Sequence, residues 1–370
     1  MKEYFPTAGK PAKGEDLPPV AYLQWYIPRL REQRKHNLSF SGLQFPWELG
    51  TVEDVWKDHR KPGFDERELV SEMYGVHTDN VHLTMGATQA IGVAISAASR
   101  GGKVAVEMPS YAPVSQTARI LGLETLEVRR QPTSDVWTID RENWKEILMD
   151  VDLLMISPQL NPVGCTYTAD DRRWLVETCK EMDVRIISDE VYSASDRNWQ
   201  PFYKEGDHCI SISSLTKVHG LGVIRYGWIL ADSKIIQDVN KAFHHMEGMM
   251  SSPTIRIVEK IKERLNEPID LIDEYRKANL PVLQEALERL GIEWTPPAYG
   301  VFGAFRIPGV DTLEMIDTIG KEYDLLAVPG CMFDSELKEW LRVGWSIEPK
   351  MFEEAVHVLE KVIREAINIT

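Results

Sequence analysis

The chain has 370 residues, 43% hydrophobic and 27% charged, with a formal net charge of −15 at neutral pH. That length bounds one large or two unequal domains, with a core big enough to enclose a small cofactor. The acidic balance excludes a general nucleic-acid or anionic-membrane surface, which requires a basic face.

In chain order, the opening residues contain no apolar core of signal-peptide length, and no later run approaches a membrane helix, so a cytoplasmic location is expected. The first forty residues are rich in proline and charge and carry one aromatic, helix-like patch, Tyr22-Leu23-Gln24-Trp25-Tyr26. Such a segment packs across another surface rather than building its own core. Residues 38–42 read as a short strand closed by a glycine turn, Pro62-Gly63 as a turn, and residues 65–74 as an amphipathic helix. Leu83-Thr84-Met85-Gly86-Ala87-Thr88 reads as a strand end, a glycine turn and a helix start. The free N–H groups of that first turn form an anion site, although small residues there also permit close helix packing.

From residue 100 onward, compact apolar runs at 104–107, 125–128, 153–156, 185–188 and 209–212 are mostly separated by helical patterns. One helix, over residues 170–182, is started by Thr168 with Asp171 three positions later. Alternating βα units with fully buried strands predict a mostly parallel sheet covered on both faces, with ligands at the carboxyl ends of its strands. The polar motifs fall at those ends. They are Ser110-Tyr111, then Asn161-Pro162-Val163-Gly164, then Asp189-Glu190-Val191-Tyr192. An aspartate closing a buried apolar strand needs a cationic partner.

Ser214-Leu215-Thr216-Lys217 then leads through a glycine-punctuated loop to Arg225 and a second apolar strand. A lysine between two buried strands must reach solvent, find an anion or lose its proton. The last of these makes an amine nucleophile of the Schiff-base kind. Ser214, Thr216 and Arg225 supply donors of the type that hold a phosphate dianion. Beyond residue 240, helices at 252–265, 268–290 and 349–367 alternate with strands at 301–306, 325–328 and 341–345, describing a smaller α/β unit. The cysteines Cys165, Cys179, Cys209 and Cys331 lack a CxxC spacing, so neither a disulfide framework nor a metal site is expected.

The ordered set Gly86-Ala87-Thr88, Tyr111, Asn161-Pro162-x-Gly164, Asp189-x-x-Tyr192 and Ser214-x-Thr216-Lys217-x7-Arg225-x-Gly227 resembles the pyridoxal-phosphate enzymes of the aspartate aminotransferase fold, the class I/II aminotransferases of fold type I. The resemblance covers nearly the whole chain and is most specific between residues 84 and 228. It implies an α/β large domain with a mostly parallel, seven-stranded-type sheet, plus a smaller α/β domain. Residues 1–40 would form an arm and part of the small domain, 41–265 the cofactor-binding domain, and 266–370 the small domain.

The resemblance further implies pyridoxal 5′-phosphate as cofactor, with Lys217 as the carrier amine and Asp189 on the pyridine nitrogen. Asn161 and Tyr192 would meet the phenolic oxygen, and Tyr111 the ring face. Gly86, Ala87, Thr88, Ser214, Thr216 and Arg225 would hold the phosphate. Arg342, opening Arg342-Val343-Gly344-Trp345-Ser346, would clasp the substrate α-carboxylate beside Asn161, with the loop at 329–333 near the substrate mouth. Two positions depart from the family pattern. Where the family has an extended Gly-x-Pro segment touching substrate, this chain has Ser41-Gly42, so Ser41 becomes a candidate substrate contact. Where a tyrosine usually crosses from the partner subunit to the phosphate, it has Asp58-His59-Arg60, read either as a replacement through His59 or Arg60 or as a solvated turn.

The implied activity moves the amino group of an L-amino acid to a 2-oxo acid by a ping-pong cycle in a homodimer, with no nucleic-acid or membrane partner. A lyase or amino-acid cyclase of the same fold is the alternative, and a non-catalytic binding protein of this fold a third reading. Arg29, Arg31, Arg34 and His36 are candidates for a second substrate carboxylate, whereas Trp25, Tyr26, Phe45 and Trp47 would shape an apolar or aromatic pocket.

Overall fold

The computed structural model describes residues 8–12, 20–44, 46–47, 65–133 and 137–369. After a two-residue strand β1 (His36–Asn37), eight strands form one sheet. These are β2 (Val81–Thr84), β3 (Lys103–Met108), β4 (Glu124–Pro132), β5 (Trp137–Ile139), β6 (Leu153–Ile156), β7 (Arg185–Asp189), β8 (Cys209–Ser214) and β9 (Gly227–Leu230). Their spatial order is β2-β9-β8-β7-β6-β3-β4-β5. The pairings from β8 through β7, β6 and β3 to β4 are parallel, and those at the two edges are antiparallel.

Every residue of β6 and β8 is buried, which is why these segments read as unbroken apolar runs. Alternate side chains still go to opposite faces. Val104, Val106, Leu153, Met155 and Ile187 join the core beneath helix Ala87–Ala98, while Ala105, Leu154, Ile156 and Ile186 join another core with Trp144 and Leu175. The carboxyl ends of the parallel strands therefore open along one rim of a two-sided layer.

A third core unites the aromatic patch with the last ninety residues. Tyr22, Trp25 and Tyr26 on helix Ala21–Arg31 pack with Leu283 and Leu287 of helix Glu267–Arg289 and with Phe352 and Leu359 of helix Pro349–Ile369. The strands here are β10 (Phe302–Arg306), β11 (Leu325–Leu326), β12 (Val328–Pro329) and β13 (Trp340–Gly344). β10, β13 and β12 form an antiparallel sheet, and β11 pairs in parallel with β1.

Three expectations need adjusting. The sheet has eight strands because β4 runs on past the layer and turns back into the three-residue β5, adding a hairpin edge to the seven-stranded pattern. The strand expected at 38–42 is instead β1, and the ladder stops at Asn37. There the Asn37 side chain accepts from the backbone N–H of Ser39 at 3.0 Å and from its hydroxyl at 2.5 Å, a local bond that competes with sheet pairing. The helix expected from residue 65 begins at Glu68, because the Asp65 carboxylate accepts from the Arg67 N–H and holds a turn there. By contrast, Thr168 caps helix Ala169–Glu181 as the sequence requires, accepting from the Asp171 N–H at 3.0 Å. Pro62-Gly63, Asp58-His59-Arg60 and Phe45 lie outside the described residues.

No helix among the described residues is long and apolar enough to cross a membrane.

Candidate active site

At the carboxyl ends of the parallel strands lies a cavity of about 210 Å³. Of the thirteen residues assigned from the sequence to the cofactor, the reacting amine and the substrate's amino-acid end, it collects twelve: Ser41, Ala87, Thr88, Tyr111, Asn161, Asp189, Tyr192, Ser214, Thr216, Lys217, Arg225 and Arg342. Gly86, the thirteenth, makes room rather than wall. It adopts φ +85°, and a Cβ there would sit 2.6 Å from Nη2 of Arg225. A side chain at this position would push the arginine off the cavity.

Three parts of the site follow from local chain geometry. Gly86 is the N-cap of helix Ala87–Ala98 and offers no side-chain cap, so the first-turn N–H groups beside Ala87 and Thr88 are left for another acceptor. Ser214 ends β8, and Arg225 holds a left-handed backbone conformation (φ 53°) two residues before β9. A helix N-terminus, two hydroxyl residues and a guanidinium thus converge on one end of the cavity, a donor set that suits a phosphate dianion.

The middle of the cavity holds an acid and an amine. Asp189 closes β7, and its carboxyl is pushed up to about 7, first by burial and against the smaller opposing effects of the Val191 N–H and the Lys217 charge. The surface Asp189 retains faces the cavity rather than bulk solvent. Burial, above all, also lowers the pKa of the Lys217 amine. Its one hydrogen bond among the described residues is to Ser41 Oγ, at 3.5 Å. Tyr192 donates to the same hydroxyl at 3.4 Å, and its own pKa is raised by burial.

The opposite end is set by Arg342 on β13, 1% exposed. Its Nη1 donates to Asn161 Oδ1 at 3.0 Å, and its Nη2 to the Ser39 carbonyl at 3.1 Å and to the Tyr22 hydroxyl at 3.3 Å. Among the described residues its Nε has no partner, and all its acceptors are neutral. The rings of Phe333, Phe302 and Tyr22 surround it at 4.9, 5.2 and 5.3 Å. A guanidinium so enclosed without a carboxylate is costly unless an anionic ligand completes it.

The residues present therefore fit pyridoxal phosphate at each end of its chemistry: phosphate donors, an enclosed carboxyl for a pyridinium and an unpaired amine for an aldehyde. The candidates for a second substrate carboxylate are not at the cavity. Arg29 pairs with Asp317 at 2.7 Å, and Arg34 with Glu32 and the Leu325 carbonyl. Arg31 is exposed, and His36 pairs with Leu325 in the β1–β11 ladder. Of the aromatic candidates, Tyr26 lines the cavity, whereas Trp25 packs beneath Arg29 and Trp47 donates to the His219 carbonyl.

Sequence reasoning missed Tyr22, Leu23, Ile91, Ser157 and Val191 as cavity residues. Tyr22 and Tyr26 stack with centroids 4.8 Å apart, and the i,i+4 spacing that puts them on one helix face was the available signal.

The family model for aminotransferase class I and II matches residues 65–359. An aspartate aminotransferase of Pyrococcus horikoshii is 20% identical over 318 residues, covering 80% of this chain and 79% of that protein. An S-alkyl-thiohydroximate lyase of Arabidopsis thaliana is 26% identical over 315 residues, covering 76% and 65%. Among solved structures, a PLP-dependent aminotransferase from Streptococcus suis superposes with a TM-score of 0.83 at 20% identity, covering 95% of this chain and 99% of that one.

Proposed function

The chain belongs to the class I and II aminotransferases and is a transaminase, and from that premise we propose that Lys217 is its acting amine, Asp189 its electrostatic anchor and Arg342 its substrate clasp. The observation that supports this most is a single cavity holding an amine whose pKa burial lowers and a carboxyl pushed up to about 7, with no ion pair between them. When bound, pyridoxal phosphate supplies an aldehyde that captures amino groups and a conjugated ring that accepts the electron pair of a broken Cα–H bond.

Every other part of the work belongs to the chain. Ala87, Thr88, Ser214, Thr216 and Arg225 bind the phosphate and so fix where the ring lies. Asp189 would keep the ring nitrogen protonated, and a pyridinium there would offset the cost of burying the carboxylate. Tyr111 would cover one face of a bound ring, and Asn161 and Tyr192 would donate to its phenolic oxygen. Lys217, once free, would take the substrate's α-proton on Nζ. The cofactor and the amino and oxo-acid substrates follow from the family, and the residue assignments rest on the geometry above. We read the assembly as a homodimer, a reading that rests on the family.

The apolar and aromatic lining of the cavity includes Tyr22, Leu23, Tyr26, Ile91 and Tyr111, and the cations among the described lining residues are Lys217, Arg225 and Arg342, each already assigned. This favours donors with apolar or aromatic side chains over dicarboxylates. A panel of L-amino acids with 2-oxoglutarate, oxaloacetate and pyruvate as acceptors tests the reading. The expected result is amino transfer strictly stoichiometric with the oxo acid, and higher kcat/KM for aromatic or branched donors than for aspartate. Ammonia release without any acceptor would instead identify a lyase.

Replacing Arg342 by alanine is expected to lower kcat/KM for every donor by ~10²-fold or more, since truncating one partner of a buried charge-assisted contact costs roughly 2–5 kcal/mol. Equal kcat/KM values for α-amino acids and the matching amines in the wild type would show that no carboxylate is clasped there.

A further inference from the structure

Residues 39–43 form a strap that touches both functional ends of the cavity. The Ser39 carbonyl accepts from Arg342 at 3.1 Å. Two residues on, the Ser41 hydroxyl accepts from the Lys217 amine at 3.5 Å and from Tyr192 at 3.4 Å. Leu43 then donates its backbone N–H to the Lys217 carbonyl at 2.9 Å. Gly42 allows this approach, because a Cβ there would lie 2.9 Å from the same carbonyl oxygen. The backbone of the strap is thus tied to the backbone of the very lysine whose side chain the Ser41 hydroxyl meets. Ser41 is 8% exposed, so its hydroxyl has no bulk solvent to turn to.

A flexible four-carbon amine in a cavity loses rotamer freedom whenever it must sit at one point, and an oriented acceptor lowers that cost. We propose that Ser41 is a positioning residue for Lys217. Its hydroxyl accepts an N–H of the free amine and thereby aims the nitrogen lone pair at the substrate α-carbon. In the step it serves, the Cα–H bond breaks, the electron pair passes into the conjugated ring system, and the proton bonds to Nζ. Ser41 gains and loses nothing. The inference rests on Lys217 being the acting amine.

The test compares Ser41→Ala, Ser41→Gly and Ser41→Thr in the full chain. With an α-deuterated donor, Ser41→Ala is expected to lower kcat by about 10-fold, the loss of one hydrogen bond's worth of alignment, with KM changed less than about twofold. The deuterium isotope effect on kcat should rise, because proton transfer becomes more rate-limiting. Cofactor-free Ser41→Ala protein should also capture added pyridoxal phosphate on Lys217 about 10-fold more slowly, followed by absorbance after mixing. Ser41→Thr, which keeps the hydroxyl, should recover most of both losses. If Ser41→Ala does not fold, Ser41→Gly removes the hydroxyl without adding volume and carries the same expectations.

A folded variant lacking the hydroxyl, with an unchanged isotope effect or an unchanged capture rate, overturns the inference, as does failure of Ser41→Thr to recover either. Borohydride reduction of the wild type separates the two levels. Label absent from Lys217 refutes the reading beneath the inference, whereas label on Lys217 with indifferent Ser41 variants refutes the inference alone.

Discussion

Lys217→Ala is expected to reduce steady-state transamination by ~10⁴-fold, the upper range of what a positioned acid–base group contributes, and added amines should restore little of it. Two properties of the site set that magnitude. Burial lowers the pKa of the Lys217 amine, so more of it is available as a base near neutral pH than an exposed lysine would provide. It is also the sole lysine among the described residues lining the cavity, so no neighbour can take over the proton. Ser41 and Tyr192 are close by, but their hydroxyls are far weaker bases than an amine. The measurement is kcat under saturating donor and acceptor, with the phosphate site kept filled. Activity within tenfold of wild type would move the chemistry to another group.

Asp189→Asn is expected to cut kcat by about 10³-fold, because removing one partner of a buried pair costs roughly 3–5 kcal/mol and an amide cannot hold the ring nitrogen protonated. The same change should stabilise the cofactor-free protein, and the pH dependence of that gain is the sharper prediction. The carboxyl titrates near 3.8 when unburied and near 7 in the folded chain. Below about pH 4 both states hold the proton, and burial of the group costs nothing on this account. Between about pH 4 and 7 the unfolded chain has lost the proton while the folded chain keeps it, so wild-type stability falls as pH rises. Above pH 7 the full cost is present, on the order of 4 kcal/mol for a shift of about three units. Asparagine carries no such cost. Cofactor-free Asp189→Asn should therefore melt above wild type at pH 8, and by a margin that shrinks toward pH 4. Equal melting temperatures at pH 8 would mean that the carboxyl is not strained by its surroundings.

Much of this site was legible because its residues sit where the chain must turn. Asp189, Ser214 and Asn161 each follow an apolar run, and a strand buried on both faces delivers its next polar residue to the rim of the sheet. Gly86, Ala87 and Thr88 were legible for a related reason, since a glycine turn before small residues marks a helix start with free N–H groups.

What the sequence concealed depends on long-range packing. Tyr22 meets Arg342 across 320 positions of sequence, and nothing local says which surface the aromatic face of helix Ala21–Arg31 will cover. The lengths of β1 and β5 were hidden for another reason: a side-chain bond from Asn37 ends one strand, and a hairpin beyond the layer creates the other. Arg29 looked like a spare cation because its partner Asp317 lies almost three hundred residues away, whereas the Glu32 that pairs with Arg34 was two residues off and could have been read.

The central claim is that the amine at 217 carries the cofactor's aldehyde carbon within the same cavity as the acid at 189. The direct measurement is borohydride reduction of the protein incubated with pyridoxal phosphate, followed by proteolysis and peptide mass analysis. A phosphopyridoxyl group on Lys217, at close to one per chain, is the predicted result. A label spread over surface lysines, or concentrated on any other single lysine, would contradict the account.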